Sequence, residues 1–229
     1  MAPSAVPPTP QPATWPAWHH AGTELRLSPE RAAWWPEART LLAADVHIGK
    51  AATFRALGVP VPAGTTAGTL DRLSATLEAT GAARLVLLGD LLHAPQALEP
   101  AQRSALARWR ARHPSVDMVL VRGNHDARAG RLPPELGIET VEEPYAAGPF
   151  ALCHEPLDAV DGRYVLAGHL HPAVRLAGRA DSVRLPCYWF GRARGVLPAF
   201  GEFTGALTVR PRPGDRVFAV AGDRVLALP

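Results

Sequence analysis

The amino-acid sequence predicts an α/β fold, and two features of the chain indicate it. First, five short apolar runs recur between residues 40 and 171, and polar residues follow each run at once. Continuous apolar runs of this length are typical of strands that are buried on both faces. Second, segments with helical spacing separate the first three runs. Alternating strands and helices predict a sheet with right-handed crossover connections.

The five runs and the two helical segments follow in a regular order. The runs are TLLAADVH from residue 40, RLVLLGD from 84, DMVLVRGNHD from 117, FALCHEP from 150 and YVLAGHLH from 164. A helix is predicted over residues 64–80, where Leu70, Leu73 and Leu77 mark one face. A second helix is predicted over residues 98–112, where apolar residues including Trp109 lie opposite four arginines.

The C-terminal third of the chain changes character. It consists of short strand-like segments separated by turn residues, at 173–177, 182–190, 205–210, 216–221 and 224–228. We expect a meander that covers the other face of the sheet or forms a second sheet.

The composition excludes several classes of protein. Apolar residues make up 47% and charged residues 20%, which is typical of a globular chain. No apolar stretch approaches the ~20 residues that a membrane helix needs, and the first residues do not have the pattern of a secretory signal. Six prolines between residues 3 and 16 predict a mobile tail over residues 1–17, followed by a single domain over 18–229. Two cysteines, Cys153 and Cys187, are too few for a disulfide framework and favour a reducing, cytoplasmic location.

The basic residues are almost all arginines, since Lys50 is the only lysine among 24 basic residues. Guanidinium groups bind phosphate bidentately, so a phosphate-bearing or nucleic-acid partner is one explanation. A GC-rich genome is the other, and both remain open at this point.

Candidate catalytic side chains follow each predicted strand. Six of the nine histidines lie in five motifs of the chain. The motifs are Asp45-Val46-His47, Gly89-Asp90-Leu91-Leu92-His93, Gly123-Asn124-His125-Asp126, Cys153-His154-Glu155 and Gly168-His169-Leu170-His171. Ligands of open α/β sheets bind at the carboxyl ends of strands, so we expect these motifs to meet.

The residue types in the motifs indicate a metal site. Imidazole and carboxylate without thiolate suit Mn, Fe, Zn or Ni. On an extended chain, residues two apart point the same way, so Asp45 and His47 can hold one ion together, as can His169 and His171. Seven candidate ligands exceed what one ion uses. Two ions about 3.5–4 Å apart, bridged by one carboxylate, account better for seven candidate ligands.

The motif series resembles the calcineurin-like metallophosphoesterase superfamily over residues 45–171. Residues 45–62, LPCYWF at 185–190 and LPAFGEFTG at 197–205 are similar to one branch, the bacterial ligase-associated DNA damage response endonuclease of the PdeM type. The resemblance implies a four-layer α-β-β-α sandwich, with two central mixed sheets flanked by helices. It also implies a di-metal phosphodiester hydrolase, most simply with Mn²⁺, that acts on single-stranded or damaged DNA alongside an ATP-dependent DNA ligase, a helicase and an exonuclease.

The resemblance also assigns roles to residues. It implies that three residues hold the first metal, three hold the second, and one carboxylate bridges them. These are, in that order, Asp45, His47 and His171; Asn124, His154 and His169; and Asp90. It further implies that His125 faces the scissile phosphate, where an imidazole can donate a proton or stabilise charge.

One position departs from the superfamily. Phosphoprotein phosphatases carry an Asp-Arg pair where this chain has His93 and Ala94. A carboxylate that orients His125 from that position is therefore absent, which argues against a phosphoprotein phosphatase. Either Asp126 or a backbone carbonyl replaces it, or His93 acts differently, as a structural residue or a substrate contact.

Substrate contacts are less sharply predicted than metal ligands. Lys50, Arg55, His93 and Arg128 lie in or just after motif loops and are candidates for binding substrate. Four aromatic residues could stack on bases, although core packing is the favoured interpretation: Trp34, Trp35, Tyr188 and Trp189. Two other functions stay open. One is a phosphoesterase for a small nucleotide or other phosphoester, and the other is a non-catalytic scaffold on the same fold.

Overall fold

Two mixed β-sheets, stacked face to face, form the centre of the molecule in a computed structural model that describes residues 12–62, 64–158, 160–178 and 181–229. The first sheet has seven strands, which pair in chain order. They are β1 Ala17–His20, β2 Thr23–Leu27, β3 Ala32–Trp35, β4 Thr40–Ala43, β5 Arg84–Leu88, β6 Asp117–Val121 and β7 Glu139–Val141. Strands β1 to β4 pair antiparallel, and β4 to β7 pair parallel.

The second sheet contains the remaining strands of the described chain. They are β8 Tyr145–Ala147, β9 Phe150–Leu152, β10 Tyr164–Ala167, β11 Pro172–Ala177, β12 Ser182–Phe190, β13 Arg194–Val196, β14 Leu207–Thr208, β15 Arg216–Ala221 and β16 Arg224–Ala227. The order is β14-β11-β12-β13-β10-β9-β8, with β15 and β16 joined to β12. The C-terminal strands therefore form a second sheet, one of the two expected arrangements.

The described chain contains four α-helices, all between residues 50 and 129: α1 Lys50–Ala56, α2 Thr65–Thr80, α3 Pro100–Ala111 and α4 Asn124–Ala129. Short 3₁₀ turns occur at Pro12–Thr14, Pro95–Leu98 and Pro134–Leu136. Helices α2 and α3 connect the parallel strands β4, β5 and β6 and match the two helices predicted from spacing. Leu73 of α2 and Trp109 of α3 pack against Leu41 and Leu85 of the first sheet, so their apolar faces cover that sheet. Strands β1 to β3 and helices α1 and α4 were not predicted.

The core between the sheets is rich in aromatic residues. Trp18 lies against Phe190 with ring centroids 4.1 Å apart, and Phe150 packs edge-on to Trp35. Burying each such side chain stabilises the fold by about 1.5–3 kcal/mol. Tyr188 is fully buried, and its hydroxyl lies 2.7 Å from the carbonyl oxygen of Ser28, which it can reach as a donor. The α/β sandwich of two mixed sheets flanked by helices, implied by the resemblance, is confirmed.

The aromatic residues considered for base stacking lie in this packing. Trp34, Trp35 and Tyr188 are buried. Trp189 is half-buried, and its indole nitrogen donates to the carboxylate of Asp215 at 2.8 Å. Core packing, the favoured interpretation, accounts for all four.

The predicted mobile tail over residues 1–17 includes residues that the structure holds in place. Residues 1–11 lie outside the described residues. Trp15 is buried, and Leu27 of β2 donates to the carbonyl of Pro16 at 2.9 Å. The guanidinium of Arg26 also donates to the carbonyls of Pro12 and Ala13. Residues 12–17 are therefore held by the first sheet, because their carbonyl groups satisfy its donors. Within the described ranges, no helix is both long and apolar enough to cross a bilayer.

Candidate metal centre

The five motifs meet at one end of the sandwich. Strands β4, β5 and β6 run parallel in the first sheet, so the loops that follow them leave the same edge. Strands β9 and β10 run parallel in the second sheet and end beside that edge. Asp45, Asp90 and Asn124 come from the first sheet, and His154 and His169 from the second. The motifs therefore meet at the carboxyl ends of strands, as predicted, although these strands belong to two sheets.

The backbone of the motif loops is left-handed rather than extended. Asp45, His47, Asp90, His169 and His171 have φ between 47° and 66°. The extended geometry predicted for Asp45-Val46-His47 and for His169-Leu170-His171 is therefore wrong, although each pair stays together. Non-glycine residues in this region cost of order 1–3 kcal/mol each, and such strain concentrates at functional sites.

One group of potential ligands consists of Asp45, His47 and His171, whose nearest donor atoms lie within 4.8 Å of one another. The Nε2 atoms of His47 and His171 are 3.3 Å apart, and Nε2 of His171 is 3.4 Å from Oδ1 of Asp45. Oδ2 of Asp45 accepts the backbone N–H of His169 at 2.8 Å. The carboxylate is thus fixed by one oxygen, and the other faces the imidazoles.

A second group of potential ligands adjoins the first. His154 lies within 4.8 Å of both Asp45 and Asp90, measured between ligand atoms. Its Nε2 atom is 2.9 Å from Oδ1 of Asn124 and 3.0 Å from Nδ1 of His169. Oδ2 of Asp90 is 3.4 Å from the same nitrogen. All seven predicted ligands therefore lie in one cluster.

The cluster fits divalent cations. Oδ1 of Asp45 and Nδ1 of His47 are buried and have no hydrogen-bond partner among the described residues. Burial, followed by the nearby charge of Lys50, lowers the pKa of His47 well below its usual range, so the imidazole is neutral. Neutral imidazoles and carboxylates are the ligand forms that such metals take. A cation bound between these buried groups would satisfy them.

Glycines make the close approach of the motif loops possible. A Cβ added to Gly89 would lie 2.1 Å from Nδ1 of His154, and one added to Gly168 would lie 2.5 Å from Oδ2 of Asp45. At Gly123 the added atom would lie 2.3 Å from Oδ1 of Asp90. Only glycine fits these positions because the ligands occupy the space of a side chain.

Backbone carbonyls orient two of the ligand imidazoles. Nδ1 of His154 is 3.2 Å from the carbonyl oxygen of Leu88, and Nδ1 of His171 is 2.9 Å from that of Gly205. A nitrogen that faces a carbonyl carries the proton, which leaves Nε2 of each ring with its lone pair. The Nε2 atoms of both rings face the cluster.

A backbone carbonyl also faces His125. Its Nδ1 atom lies 2.7 Å from the carbonyl oxygen of His93, and its backbone N–H donates to Oδ1 of Asp90 at 2.9 Å. The rings of His93 and His125 stack with centroids 4.8 Å apart. Of the two replacements considered for the missing carboxylate, the backbone carbonyl is the group in contact.

Asp126 does not contact the His125 ring in the described hydrogen bonds and instead holds two motif loops together. Its carboxylate accepts the backbone N–H groups of Leu92 and Gly123 at 2.8 and 3.0 Å, which ties two motif loops together. Burial raises the pKa of Asp126 to about 6. His93 is half-buried, and burial, followed by the charges of Lys50 and His125, lowers its pKa to about 4. His93 is therefore neutral at pH 7.

The other candidate substrate contacts differ in position. Lys50 begins α1 and lines a small cavity together with His47. Arg55 is exposed, and its guanidinium donates to the carbonyl of Pro62 rather than to the cluster. Arg128 is exposed in the last turn of α4. Lys50 alone of these three shares a cavity with a ligand.

The segment 199–205 is a part of the site that the motifs did not predict. It runs beside the first motif loop, where Gly201 donates to the carbonyl of Asp45 at 3.0 Å. Arg72 of α2 anchors the segment by donating to the carbonyl of Phe200 at 3.0 Å and by stacking on its ring. Arg72 also pairs with Glu30 at 2.8 Å and Glu202 at 3.3 Å. The signal in the sequence was the stretch LPAFGEFTG, noted for its resemblance but not assigned a role.

The fold and the ligand cluster together define a metal-dependent phosphoesterase. The family model for calcineurin-like phosphoesterase matches residues 38–177, which include all five motifs. The chain belongs to the calcineurin-like phosphoesterase family, and the resemblance found in the motifs is confirmed.

Two solved structures are similar to this chain. The nuclease MPE of Pseudomonas putida shares 42% sequence identity, with a TM-score of 0.84, over 94% of this chain and 100% of that chain. Yfce, a phosphoesterase from E. coli, aligns at 16% identity with a TM-score of 0.43, over 82% of this chain and 96% of that chain. No curated protein matches the sequence.

Proposed function

We propose that this phosphoesterase is a di-metal phosphodiesterase that cleaves DNA, as an endonuclease in the DNA damage response. The observation that carries the proposal is the pair of ligand groups that share Asp45, one with His47 and His171 and one with Asp90 and His154. Adjacent sites for two cations are typical of enzymes that cleave phosphodiesters. The similarity to a Pseudomonas putida nuclease supports nucleic acid as the substrate.

In this proposal the seven clustered residues divide between two sites. Asp45, His47 and His171 would hold one ion, and Asn124, His154 and His169 the other. The resemblance assigns the bridge to Asp90, whereas Asp45 is the carboxylate that both ligand groups share, so we keep the bridging role of Asp90 as a prediction. Divalent ions, when bound, lower the pKa of water and neutralise phosphate charge.

His125 would act on the leaving group. Its Nδ1 atom is directed at the carbonyl of His93, so Nε2 is the nitrogen available to substrate. At that atom the imidazole can carry a proton to the leaving oxygen or stabilise its negative charge. The hydrogen bond from its backbone N–H to Asp90 fixes the ring beside the ligand cluster. Asp126 is proposed as a positioning residue rather than a proton carrier, because its carboxylate is committed to two backbone donors.

The remaining parts of the proposal rest mainly on the resemblance. They are Mn²⁺ as the metal, with Fe, Zn or Ni tolerated by the same ligands, and association with an ATP-dependent DNA ligase, a helicase and an exonuclease. A single domain over residues 18–229 would carry the activity. A cytoplasmic location agrees with two free, buried cysteines, whose thiol pKa burial raises to about 12.

The test compares substrates side by side. Mn-loaded protein is incubated with single-stranded DNA, duplex DNA and bis-p-nitrophenyl phosphate. We expect cleavage of DNA and of the aryl diester, with loss of both activities on chelation and recovery on return of Mn²⁺. Hydrolysis of the aryl diester without cleavage of either DNA would favour a small phosphoester as the substrate. No hydrolysis of any substrate would favour a scaffold.

A binding measurement addresses the substrate independently of cleavage. DNA affinity is measured with the metal-loaded His125→Ala variant between low and physiological salt. Contacts to phosphates release counterions, so affinity for DNA should fall steeply as salt rises. A flat response, or no binding, would contradict nucleic acid as the partner.

A further inference from the structure

A cavity of about 180 Å³ opens beside the metal centre, and nothing in the mechanism above uses it. His171 forms part of its wall, so the cavity and the ligand cluster share a residue. The other walls come from the hairpin β11–β12, the turn between β2 and β3, and the segment 199–206. Its lining includes Arg31, Arg184, Pro186 and Phe203.

Arginine reaches this cavity because of the register of the hairpin. Side chains at alternate positions of β12 point to the same face, and Tyr188 and Phe190 on that face fill the core between the sheets. Arg184 lies on the same face, near the start of the strand and beyond the core. Its cross-strand partner in the register is Arg175. Like charges directly opposite each other destabilise a sheet, so this pair favours an anion nearby.

The second arginine comes from the first sheet. Arg31 lies in the turn between β2 and β3, and the hydroxyl of Tyr188 fixes this turn through the carbonyls of Ser28 and Ala32. The guanidinium of Arg31 donates to the carbonyl of Gly201 at 3.3 Å. Among the described residues neither Arg31 nor Arg184 forms a salt bridge. Two guanidinium groups thus line one small cavity whose lining contains no carboxylate, although Glu30 and Glu202 act on Arg31 from outside it.

The backbone around the cavity is strained in the same way as the metal centre. Ten non-glycine residues of the described chain have positive φ, and five of them are predicted metal ligands. Arg31, with φ of 69°, and Phe203, with φ of 57°, are two of the other five. The side chain of Phe203 is also 47% exposed. Its ring is available to a planar partner.

We propose that this cavity is a subsite for the nucleotide next to the scissile phosphodiester. Arg31 and Arg184 would bind the phosphate of that nucleotide, and Phe203 would stack on its base. The cavity is smaller than the 300–1,000 Å³ typical of sites for whole small molecules, so it suits one unit of a longer ligand. The inference rests on the proposed nuclease function and deepens it.

The test uses variants of the cavity with a matched control. Arg184→Ala and Phe203→Ala are compared with Arg192→Ala, an exposed arginine in the loop between β12 and β13, at the other end of the second sheet. Each Mn-loaded protein is assayed for kcat/KM on a DNA oligonucleotide and on bis-p-nitrophenyl phosphate, which has no neighbouring nucleotide. Binding of the oligonucleotide is measured separately in the His125→Ala background as a function of salt.

The two cavity variants should lose oligonucleotide binding in different ways. Arg184→Ala should reduce the slope of log affinity against log salt by about 1, because one phosphate contact is lost. Phe203→Ala should weaken oligonucleotide binding about tenfold with little change in that slope, because stacking is not ionic. In both variants the ratio of kcat/KM on DNA to kcat/KM on the aryl diester should fall at least fivefold, and in Arg192→Ala it should not change.

The outcomes separate the subsite from the function. If the wild-type protein binds and cleaves DNA but both cavity variants match Arg192→Ala, the subsite is refuted and the nuclease function stands. If the wild-type protein hydrolyses the aryl diester but neither binds nor cleaves DNA, the nuclease function is refuted and the subsite with it. Equal loss on both substrates would also refute the subsite, since it would show damage to the metal centre.

Discussion

Arg72 joins three separate parts of the chain, and its removal should be far more damaging than a surface ion pair suggests. Its guanidinium donates to the carboxylate of Glu30 and to the carbonyl of Phe200, and it lies 4.6 Å from the centre of the Phe200 ring. These contacts link α2 to the turn that carries Arg31 and to the segment that carries Gly205. The side chain of Arg72 is only 23% exposed.

The magnitude follows from these contacts. The short pair with Glu30 and the hydrogen bond to Phe200 each contribute about 1 kcal/mol net, and the ring contact about 0.5–1 kcal/mol. The contact with Glu202 is longer and more exposed, and it adds little. We therefore expect Arg72→Ala to lower the free energy of unfolding by about 3 kcal/mol. For a chain of this length the midpoint of thermal unfolding should fall by roughly 6–12 °C.

Arg112→Ala is the matched control. Arg112 pairs with Asp71, which lies in α2 next to Arg72, and the two side chains of this pair are 52% and 63% exposed. Such a pair contributes about 0–1 kcal/mol. Both variants are unfolded in urea, and Mn²⁺ affinity is measured by calorimetry. Arg72→Ala should also bind Mn²⁺ about 10-fold or more weakly, because the segment that orients His171 is loosened. Equal urea midpoints for the two variants would refute the reasoning.

Three further predictions concern the metal centre. Asp90→Asn should abolish hydrolysis and reduce the metal content measured by elemental analysis. If the fully reconstituted wild-type protein holds at most one Mn per chain, the two-metal proposal is contradicted. His125→Ala should keep its metal and lose about 10²–10⁴-fold in kcat on DNA, but less on bis-p-nitrophenyl phosphate, whose leaving group scarcely needs a proton; loss of metal would show instead that His125 is a ligand. Gly168→Ala should impair metal binding because its Cβ would lie 2.5 Å from Oδ2 of Asp45. The control Gly68→Ala has open space inside α2 and should stabilise the protein by about 0.5–1 kcal/mol in urea unfolding.

The sequence predicted the five central strands, and the clustering of the seven candidate ligands, because both signals are local. An apolar run followed by a polar motif needs no knowledge of the rest of the chain, and all five runs are strands in the structure. The seven predicted ligands gather for the same reason, since each follows the carboxyl end of one of these five strands. The helices at residues 64–80 and 98–112 were visible through the spacing of Leu70, Leu73, Leu77 and Trp109.

Other parts of the fold carried weak local signals. Strands β1 and β2 contain polar or charged residues, so they lack the continuous apolar pattern of the later strands, and β3 is apolar but only four residues long. The extended conformation expected for Asp45 and His47 was wrong because the loop bends through left-handed residues, which only the packing of neighbouring loops makes favourable. The prolines near the start of the chain placed the predicted end of the tail too late, because Trp15 is buried in the core.

The sequence by itself determined the chemistry of this protein, namely the kinds of ligand, their order and the strand ends that present them. The tertiary structure decided how these groups act on one another. It joined Asp45 to His169, 124 residues away, and His171 to Gly205, 34 residues away. It also selected the carbonyl of His93 as the partner of His125 and brought Arg31 and Arg184 to one cavity, which His171 also lines. Contacts of this kind depend on how two sheets stack, and no local pattern of residues encodes that arrangement.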